Sequence, residues 1–215
     1  MIIAILNPKG GSGKTTLSAN LAKALHDRGR TTLIVDTDPQ GSARDWHAAN
    51  EANPLPLVAL DRPNNIRTLP EIAAGYEFVV LDGAAKLEDM IAASIKVSDF
   101  VLIPVQPSPY DVWAVSDLVD LIKARQEVTG GKPVTVFVVT RRIEGTRLGA
   151  DVREALDEYA FDTLKAAVAQ RQVYPQTTAG GLTVFDHGGN AKARAEINAI
   201  TDEILDTLSV TGGNP

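Results

Sequence analysis

Short runs of apolar, mostly β-branched residues recur along the 215-residue chain, and longer stretches with helical spacing of apolar residues separate them. Most of these runs are apolar at every position rather than at alternate positions, which is typical of strands buried on both faces of a parallel sheet. We therefore predict strands at 2–6, 31–36, 76–82, 99–105 and 133–140, and a weaker strand at 163–169. A further short strand is predicted at 56–60, inside a connector with four prolines at 50–70.

Apolar residues spaced three and four apart predict helices in the stretches between the strands. The predicted helices lie at about 14–28, 87–97, 110–128, 148–159 and 190–208. The alternation predicts one α/β domain over 1–215, in which a mostly parallel, twisted sheet carries helices on both faces and the crossovers are right-handed. The terminal segment 211–215, "TGGNP", is predicted to be frayed.

The composition excludes several classes of site. The chain has no cysteine, so it cannot hold disulfides, thiolate metal sites or iron–sulfur clusters, and this fits a reducing compartment. The net charge of −6 means that any binding to DNA or anionic lipid must come from a local patch. No apolar run approaches the roughly 20 residues of a membrane span, and the N-terminus lacks a basic region with a cleavable apolar segment. We expect a cytoplasmic protein that does not act at a membrane.

A glycine-rich segment, "NPKGGSGKTT" (7–16), follows the first predicted strand and precedes the first predicted helix. This is the context of a phosphate-binding loop, because glycines let backbone N–H groups face phosphate oxygens and the helix N-terminus adds positive charge. Lys14 is placed to reach the β- and γ-phosphates, and the Thr15 hydroxyl is placed to bind Mg²⁺. The predicted nucleotide-binding residues are Lys9, Gly10, Gly11, Ser12, Gly13, Lys14, Thr15 and Thr16.

Aspartates follow two of the predicted strands. Asp36 and Asp38 end the run "LIVDTD", and Asp82 ends the run "FVVLD". Ligands of open α/β sheets collect at the carboxyl ends of the strands, so we expect these carboxylates beside the phosphate loop. Asp82 has the Walker B arrangement and is expected to hold Mg²⁺ directly or through water. The D-x-D pair taken by itself is also compatible with a simple strand-ending turn.

The phosphate loop departs from the standard pattern G-x-x-x-x-G-K-[ST], because Pro8 replaces the first glycine and Lys9 adds a second lysine. With this early lysine the loop resembles the deviant Walker A motif of the ParA/MinD superfamily, and "DTDPQ" (36–40) resembles the DxDPQ segment of that family. The resemblance implies a Mg²⁺-dependent ATPase in which Lys9 reaches across a dimer to the partner's ATP. It implies catalytic roles for Lys9, Lys14 and Asp38, the last of which would orient the attacking water.

The same resemblance places Asp36 in the Mg²⁺ water shell, so the expected metal residues are Thr15, Asp36 and Asp82. Family members often carry prolines after the Walker B aspartate, whereas "GAA" (83–85) follows it here. This difference leaves the metal role of Asp82 in place and leaves open how the loop is coupled to the nucleotide.

Further segments resemble the small plasmid-partition ParA proteins, most closely the ParF type, in order and spacing. They are "IPVQPSPYD" (103–111), "TRRIE" (140–144), "QRQVY" (170–174) and "GLTVFD" (181–186). The resemblance implies an ATP-dependent sandwich homodimer or higher polymer that coats nonspecific DNA of the nucleoid. A small centromere-binding adaptor protein on the cargo would stimulate an otherwise slow hydrolysis and so drive plasmid partition. The resemblance also makes Pro107, Pro109 and Asp111 interface candidates, although the prolines alone indicate a rigid turn before a helix.

Other proteins use the same lysine loop for different purposes. A redox ATPase like the nitrogenase iron protein is excluded, because its cluster needs cysteines. MinD-like membrane cycling needs a basic amphipathic C-terminal helix, whereas 191–215 carries two positive and four negative residues. A metabolic enzyme, such as an ATP-dependent ligase resembling dethiobiotin synthetase, stays open, although Lys9 favours a dimer switch. A cargo other than a plasmid, such as a chromosome origin or a protein microcompartment, also stays open.

DNA binding by an acidic chain requires surface cations, and it should then depend on ATP and be sensitive to salt. The candidates are Arg141, Arg142, Arg147, Lys165, Arg171, Lys192 and Arg194. Scattered arginines more often solvate a face, so this patch is a hypothesis of its own. We predict that Trp46 and Trp113 are packing residues and that Arg171 and Tyr174 border either the nucleotide or the partner surface.

Overall fold

The structure, a computed structural model, describes residues 1–85 and 87–211. The strands within these residues are β1 (Ile2–Ile5), β2 (Thr32–Asp36), β3 (Leu57–Ala59), β4 (Phe78–Asp82), β5 (Phe100–Val105), β6 (Val134–Arg142) and β7 (Asp162–Ala169). The helices are α1 (Lys14–Asp27), α2 (Ser42–Ala48), α3 (Pro63–Ile66), α4 (Leu69–Ala73), α5 (Glu88–Val97), α6 (Pro109–Trp113), α7 (Ser116–Thr129), α8 (Leu148–Leu156), α9 (Val173–Ala179) and α10 (Ala191–Thr211). Apart from Thr211, the segment predicted to be frayed lies outside the described residues.

The strands form one parallel sheet in the order β3-β2-β4-β1-β5-β6-β7. Each predicted strand, including the short one at 56–60 and the weaker one at 163–169, corresponds to an observed strand. Every residue of β1, β2 and β5 is buried, as expected for strands covered on both faces. The prediction of a parallel α/β sheet is therefore confirmed.

Two hydrophobic cores lie on opposite faces of this sheet. Successive residues of a strand point to opposite faces, so Ala4 of β1 packs in one core, and its neighbours Ile3 and Ile5 pack in the other. Residues of α5, α7 and α8 complete the first core, whereas residues of α1 and α10 complete the second. Helices thus cover both faces, and the carboxyl ends of the strands are left to carry the polar loops.

The helices differ from the sequence-based expectation in two respects. The helix predicted at 110–128 is divided into α6 and α7, because Val115 N–H bonds to the Val112 carbonyl three residues back and the α-helical ladder is interrupted there. Val115 is fully buried at this break. The short helices α2, α3, α4 and α9 were not predicted, since segments of four to seven residues are too short to show a helical period.

The two tryptophans have different surroundings. Trp46 is buried, and its indole Nε1 donates a hydrogen bond to the Leu182 carbonyl at 3.0 Å, which confirms a packing role. The prediction for Trp113 is wrong, because its side chain is 65% exposed. The short helix α6 turns Asp111 and Val112 inward, so that Trp113 faces outward and meets the Tyr110 ring edge-on at 5.5 Å.

Candidate nucleotide-binding site

The phosphate loop lies at the carboxyl edge of the sheet, between β1 and α1. From the central strand β1 the chain fills one side of the sheet with β2, β3 and β4, and then the other side with β5, β6 and β7. A crevice forms where the direction of winding reverses, and open α/β sheets bind their ligands in this crevice. The position of the loop therefore agrees with a nucleotide site.

Side chains from neighbouring strand ends hold the carbonyl groups of the phosphate loop. Gln106 Nε2 donates to the Gly11 carbonyl at 2.7 Å, and Thr140 Oγ1 donates to the Ser12 carbonyl at 3.1 Å. Asn7, which is fully buried, anchors the start of the loop through Nδ2 to the Pro104 carbonyl at 2.7 Å. None of these three side chains was predicted to anchor the loop. The ends of β5 and β6, which carry Gln106 and Thr140, meet the loop only in the fold.

The first turn of α1 is open to an anion. Gly13 precedes it with φ of 95°, a left-handed conformation that glycine adopts without strain. Within the described residues no side chain caps this helix end, so its N–H groups are free to bind phosphate oxygens. Lys14 is buried, and its Nζ donates to the Lys9 carbonyl at 3.1 Å across the loop. Burial lowers the pKa of Lys14, and the charges of Asp82 and Asp38 oppose this shift.

A hydroxyl and a carboxylate meet where Mg²⁺ was predicted. Thr15 Oγ1 donates to Asp82 Oδ2 at 2.7 Å, and Ser18 Oγ donates to Asp82 Oδ1 at 2.9 Å. Asp82 is almost fully buried, and this burial raises its pKa to about 7 against the two hydrogen bonds, which lower it. Ser18 was not predicted, although its position four residues after Lys14, on the same face of α1, is a signal that could have identified it.

The donor set at this point fits Mg²⁺. Over residues 1–85 and 87–211 the structure has no group of three or more His, Cys, Asp or Glu side chains that could hold a metal by themselves. Mg²⁺ in nucleotide sites typically takes one or two protein oxygens and fills its octahedron with phosphate oxygens and water. Thr15 and Asp82 supply such a pair beside the phosphate loop.

Asp36 is fully buried at the end of β2, opposite Asp82 in the register of β2 and β4. Its Oδ2 accepts hydrogen bonds from Arg44 N at 3.0 Å and from Arg44 Nε at 3.2 Å, and its Oδ1 accepts one from Asp38 N at 3.0 Å. Arg44 Nη2 also donates to the Asp38 carbonyl at 2.8 Å. Arg44 thus ties the end of β2 to the backbone of the Asp38 loop. Arg44 was not among the predicted site residues, because α2 was not predicted.

The "GAA" segment after Asp82 is connected to the Asp38 loop through its backbone. Ala85 N–H donates to Asp38 Oδ2 at 3.4 Å, and Ala84 N–H donates to Thr37 Oγ1 at 3.2 Å. A Cβ atom on Gly83 would lie 2.6 Å from the Ile5 carbonyl oxygen, so this position admits only glycine without a backbone shift. The segment is thus linked to the Asp38 loop through N–H groups, which prolines would lack.

The side chain of Lys9 is held at α6 and not over the phosphate loop of its own chain. Its Nζ lies 2.7 Å from Asp111 Oδ2 on α6, and its side chain is 39% exposed. Its backbone N–H donates to Asn7 Oδ1 at 2.7 Å, which fixes the start of the loop. The structure therefore places one interface candidate, Asp111, in direct contact with the lysine that was expected to act across a dimer.

A cavity of about 940 Å³ opens beside the phosphate loop. One wall is the loop and the start of α1, and the other walls are the ends of β6 and β7 together with α9. Its volume suits a nucleoside-sized ligand, and Arg171 and Tyr174 both line it. Arg141, at the end of β6, also lines it and has a φ of 51°, which is rare for a residue with a side chain. Arg171 and Tyr174 had been expected to border the nucleotide or the partner surface, whereas Arg141 had been named only as a candidate for DNA contact.

Residues 3–179 match the family CbiA, described as the CobQ/CobB/MinD/ParA nucleotide binding domain. The chain belongs to this family. The predictions of a ParA/MinD superfamily ATPase, of its P-loop fold and of ATP and Mg²⁺ as cofactors are confirmed. In general terms, the protein is a ParA/MinD-type ATPase of the positioning or partition class.

Two relatives and one solved structure illustrate how similar this ParA/MinD-type chain is to other proteins. It is 31% identical to the maintenance of carboxysome distribution protein A of Halothiobacillus neapolitanus, over 94% of this chain and 95% of that protein. It is 25% identical to the sporulation initiation inhibitor protein Soj of Bacillus subtilis, over 80% and 85%. The structure of cobyrinic acid a,c-diamide synthase from Mycobacterium smegmatis with bound ATP analog and magnesium has a TM-score of 0.78, 19% identity and coverage of 100% and 97%. The last likeness concerns the fold alone.

Among the cations proposed for DNA contact in this ParA/MinD-type ATPase, Arg171 is engaged within the chain. Its Nε donates to Glu196 Oε1 at 3.0 Å, and its Nη2 donates to Glu144 Oε1 at 2.7 Å. These bonds raise the pKa of Arg171, whereas burial, followed by the charge of Glu196, raises the pKa of Tyr174. The exposed candidates are Arg141, Arg147, Lys165 and Lys192. The DNA surface stays a prediction.

None of the helices in the described part of the ATPase is long and apolar enough to cross a membrane.

Proposed function

We propose that this ATPase forms a homodimer when it binds ATP, and that the dimer binds DNA without sequence preference and positions a large cargo. The observation that carries this proposal is the separation of the two loop lysines. Lys14 is buried over the phosphate loop, whereas the Lys9 ammonium is partly exposed and directed to Asp111. A second lysine that its own loop does not use is available to a triphosphate held by another protomer.

The site residues have distinct tasks in this proposal. The N–H groups of the loop and of the first turn of α1 bind the phosphates, and Lys14 neutralises charge on them. Thr15 and Asp82 would hold Mg²⁺, which supplies charge neutralisation across the phosphate oxygens when it is bound. Asp38 would orient the attacking water, and its backbone position depends on Arg44. Lys9 of the second protomer adds a cation that is present only in the dimer.

In this proposal Asp36 acts on Mg²⁺ indirectly, through the water shell of the metal, as the sequence predicted. Its carboxylate oxygens accept hydrogen bonds from Arg44 and from the Asp38 backbone. We infer that it contributes negative charge to the Mg²⁺ water shell and fixes the Asp38 loop at the same time.

The proposed cargo is a protein compartment. The similarity to a protein named for carboxysome distribution, at 31% identity over nearly the whole chain, supports this assignment. Plasmid DNA is the second candidate, supported by the ParF-type segments at 103–111 and 170–174. In cells that lack the protein, clustering of compartments with normal plasmid retention supports the first candidate, and plasmid loss with normal compartment spacing supports the second. An adaptor protein on the cargo would stimulate hydrolysis in either case.

The alternative function is that of a metabolic enzyme, which would use the same fold to act on a small molecule. It predicts ATP turnover that depends on a small metabolite and yields a product besides ADP and phosphate. A dimer switch predicts turnover that depends on protein concentration, on DNA and on a protein partner. Steady-state ATPase assays against protein concentration, with and without random-sequence DNA, separate these two functions.

The direct test compares Lys9→Ala with Asp38→Ala. Lys9→Ala should abolish ATP-dependent dimers, and Asp38→Ala should trap them, because the first removes the contact between protomers and the second only slows hydrolysis. Light scattering after size exclusion measures the dimers, and gel shifts of random-sequence DNA at low and high salt measure DNA binding. Lys96→Ala, an exposed lysine near the end of α5, is the matched control.

Three outcomes would contradict the proposal. Identical behaviour of the two variants would remove the separate roles of Lys9 and Asp38. Equally tight DNA binding with and without ATP would remove the switch. Absence of DNA binding at low salt would remove the DNA step.

A further inference from the structure

A salt bridge within one chain occupies the lysine on which the proposed dimer depends. Lys9 Nζ and Asp111 Oδ2 are 2.7 Å apart, and the Asp111 side chain is only 4% exposed. The second carboxylate oxygen, Asp111 Oδ1, is buried and has no hydrogen-bond partner among the described residues. A buried carboxylate with one oxygen unpaired depends strongly on the cation at its other oxygen. Lys9 is therefore the counter-charge of Asp111 in the single chain.

Asp111 cannot follow Lys9 when the lysine moves. Its backbone N–H donates to the Ser108 carbonyl at 3.0 Å in the first turn of α6. The next residue, Val112, is buried in the core, and its carbonyl accepts a hydrogen bond from Tyr159 Oη at 3.1 Å. These contacts fix α6 against the body of the protein. Lys9 must break its bond to Asp111 in order to reach a second protomer.

We propose that Asp111 is a positioning residue that holds Lys9 back in the free protomer and thereby sets the concentration at which the ATP-bound dimer forms. This inference rests on the proposed function, since it assumes that Lys9 acts on the partner's nucleotide. Transfer of Lys9 leaves a buried negative charge without its cation, and this opposes dimer formation. ATP carries a γ-phosphate that ADP lacks, so it attracts the lysine of a second protomer more strongly than a nucleotide with fewer phosphates does.

Asp111→Asn tests the inference, because it removes the charge and keeps the shape. Dimer dissociation constants are measured by sedimentation with a nonhydrolysable ATP analogue and Mg²⁺. The variant should dimerise about tenfold more tightly than the wild type, since its free protomer no longer holds Lys9. Asp111→Glu, which keeps the charge, should stay near the wild-type value. Asp117→Asn, which removes an exposed carboxylate at the start of α7, should leave the constant unchanged.

A second measurement follows Lys9 itself in the nucleotide-free protomer. The rate at which an acylating reagent modifies the Lys9 amine, measured by mass spectrometry, should rise several-fold in Asp111→Asn because the bond at its ammonium is lost. The effect of Asp111→Asn on dimerisation should also vanish in the Lys9→Ala background, which a purely structural role of Asp111 would not produce. If Asp111→Asn fails to fold, Asp111→Ser removes the same charge and is measured in its place.

The outcomes separate this inference from the function on which it rests. A wild-type protein that forms no dimer with ATP refutes the proposed function, and the inference fails with it. A wild-type dimer whose stability is unchanged or weakened by Asp111→Asn overturns the inference alone. A weakened dimer would mean that Asp111 pairs with the partner's lysine instead of holding its own. An unchanged rate of Lys9 modification would also overturn it.

Discussion

Asp82 should make the nucleotide-free protein less stable at neutral and higher pH than at acidic pH. It is almost fully buried, and burial raises its pKa from 3.8 to about 7. Because the folded-state pKa lies above the unfolded one, the proton on Asp82 stabilises the fold fully below pH 3.8. This stabilisation is lost as the pH rises through about 7, where the carboxylate becomes charged in the folded protein.

The size of the effect follows from these two pKa values. At about pH 5 the folded protein holds the proton and the unfolded chain does not, and the contribution to the free energy of unfolding is about 3 kcal/mol. At about pH 8 both states are ionised, and the contribution is close to zero. Asp82→Asn removes the titration. The free energy of unfolding of the wild type, relative to this variant, should therefore fall by about 3 kcal/mol between these two pH values.

Urea unfolding at the two pH values measures this difference, with EDTA present to exclude metal ions and the buried Trp46 as a fluorescent reporter. The comparison with Asp82→Asn cancels the titration of groups outside the phosphate-loop site, whose surroundings the variant leaves nearly unchanged. The amide of the variant can still accept the Thr15 or Ser18 hydroxyl, and any cost of its unpaired N–H group is the same at both pH values. A difference between wild type and variant that does not change with pH would refute the reasoning. The variant should also lose most ATPase activity.

Two further predictions concern the loop after β2 and the exposed face of α6. Arg44→Ala should lower kcat for ATP hydrolysis about tenfold to a hundredfold and change the KM for ATP less than about threefold, because Arg44 holds the backbone of Asp38 and does not line the phosphate loop. Arg30→Ala, which breaks an exposed ion pair at the other edge of the sheet, is the control, and equal losses in both variants would contradict the positioning role. Trp113, which is 65% exposed, should be quenched less by iodide once ATP-dependent dimers form, whereas Trp46 is buried in either state. Unchanged quenching in a verified dimer would place α6 outside the interface.

The sheet and the phosphate loop were predictable from the sequence for a physical reason. Strands buried on both faces need apolar residues at every position, so the runs stand out without any knowledge of the fold. The sequence also predicted that Asp36 and Asp82 lie close together, because parallel strands end at the same edge of the sheet. In the structure these two residues are in register. Lys14 and Thr15 were recognisable because their position after the glycines is set by local backbone geometry.

The contacts that adjust the site were not predictable, since they depend on how distant segments meet. Lys9 and Asp111 are separated by 102 positions, and nothing near either residue indicates the pairing. Arg44 lies on a seven-residue helix without a helical period of its own, so its bonds to the Asp36 carboxylate and the Asp38 backbone had no sequence signal. The exposure of Trp113 depends on the break between α6 and α7, which a continuous helical period conceals.

The phosphate loop is shaped before any ligand arrives. Gln106 and Thr140 hold two of its peptide oxygens outward, and Asn7 secures its beginning. A flexible loop would lose conformational freedom on meeting the nucleotide, and part of the binding free energy would be consumed in ordering it. Here that ordering is completed during folding. Under the proposed function, more of the free energy of ATP binding is thus left to draw two subunits together, which is what a switch driven by a single small molecule requires.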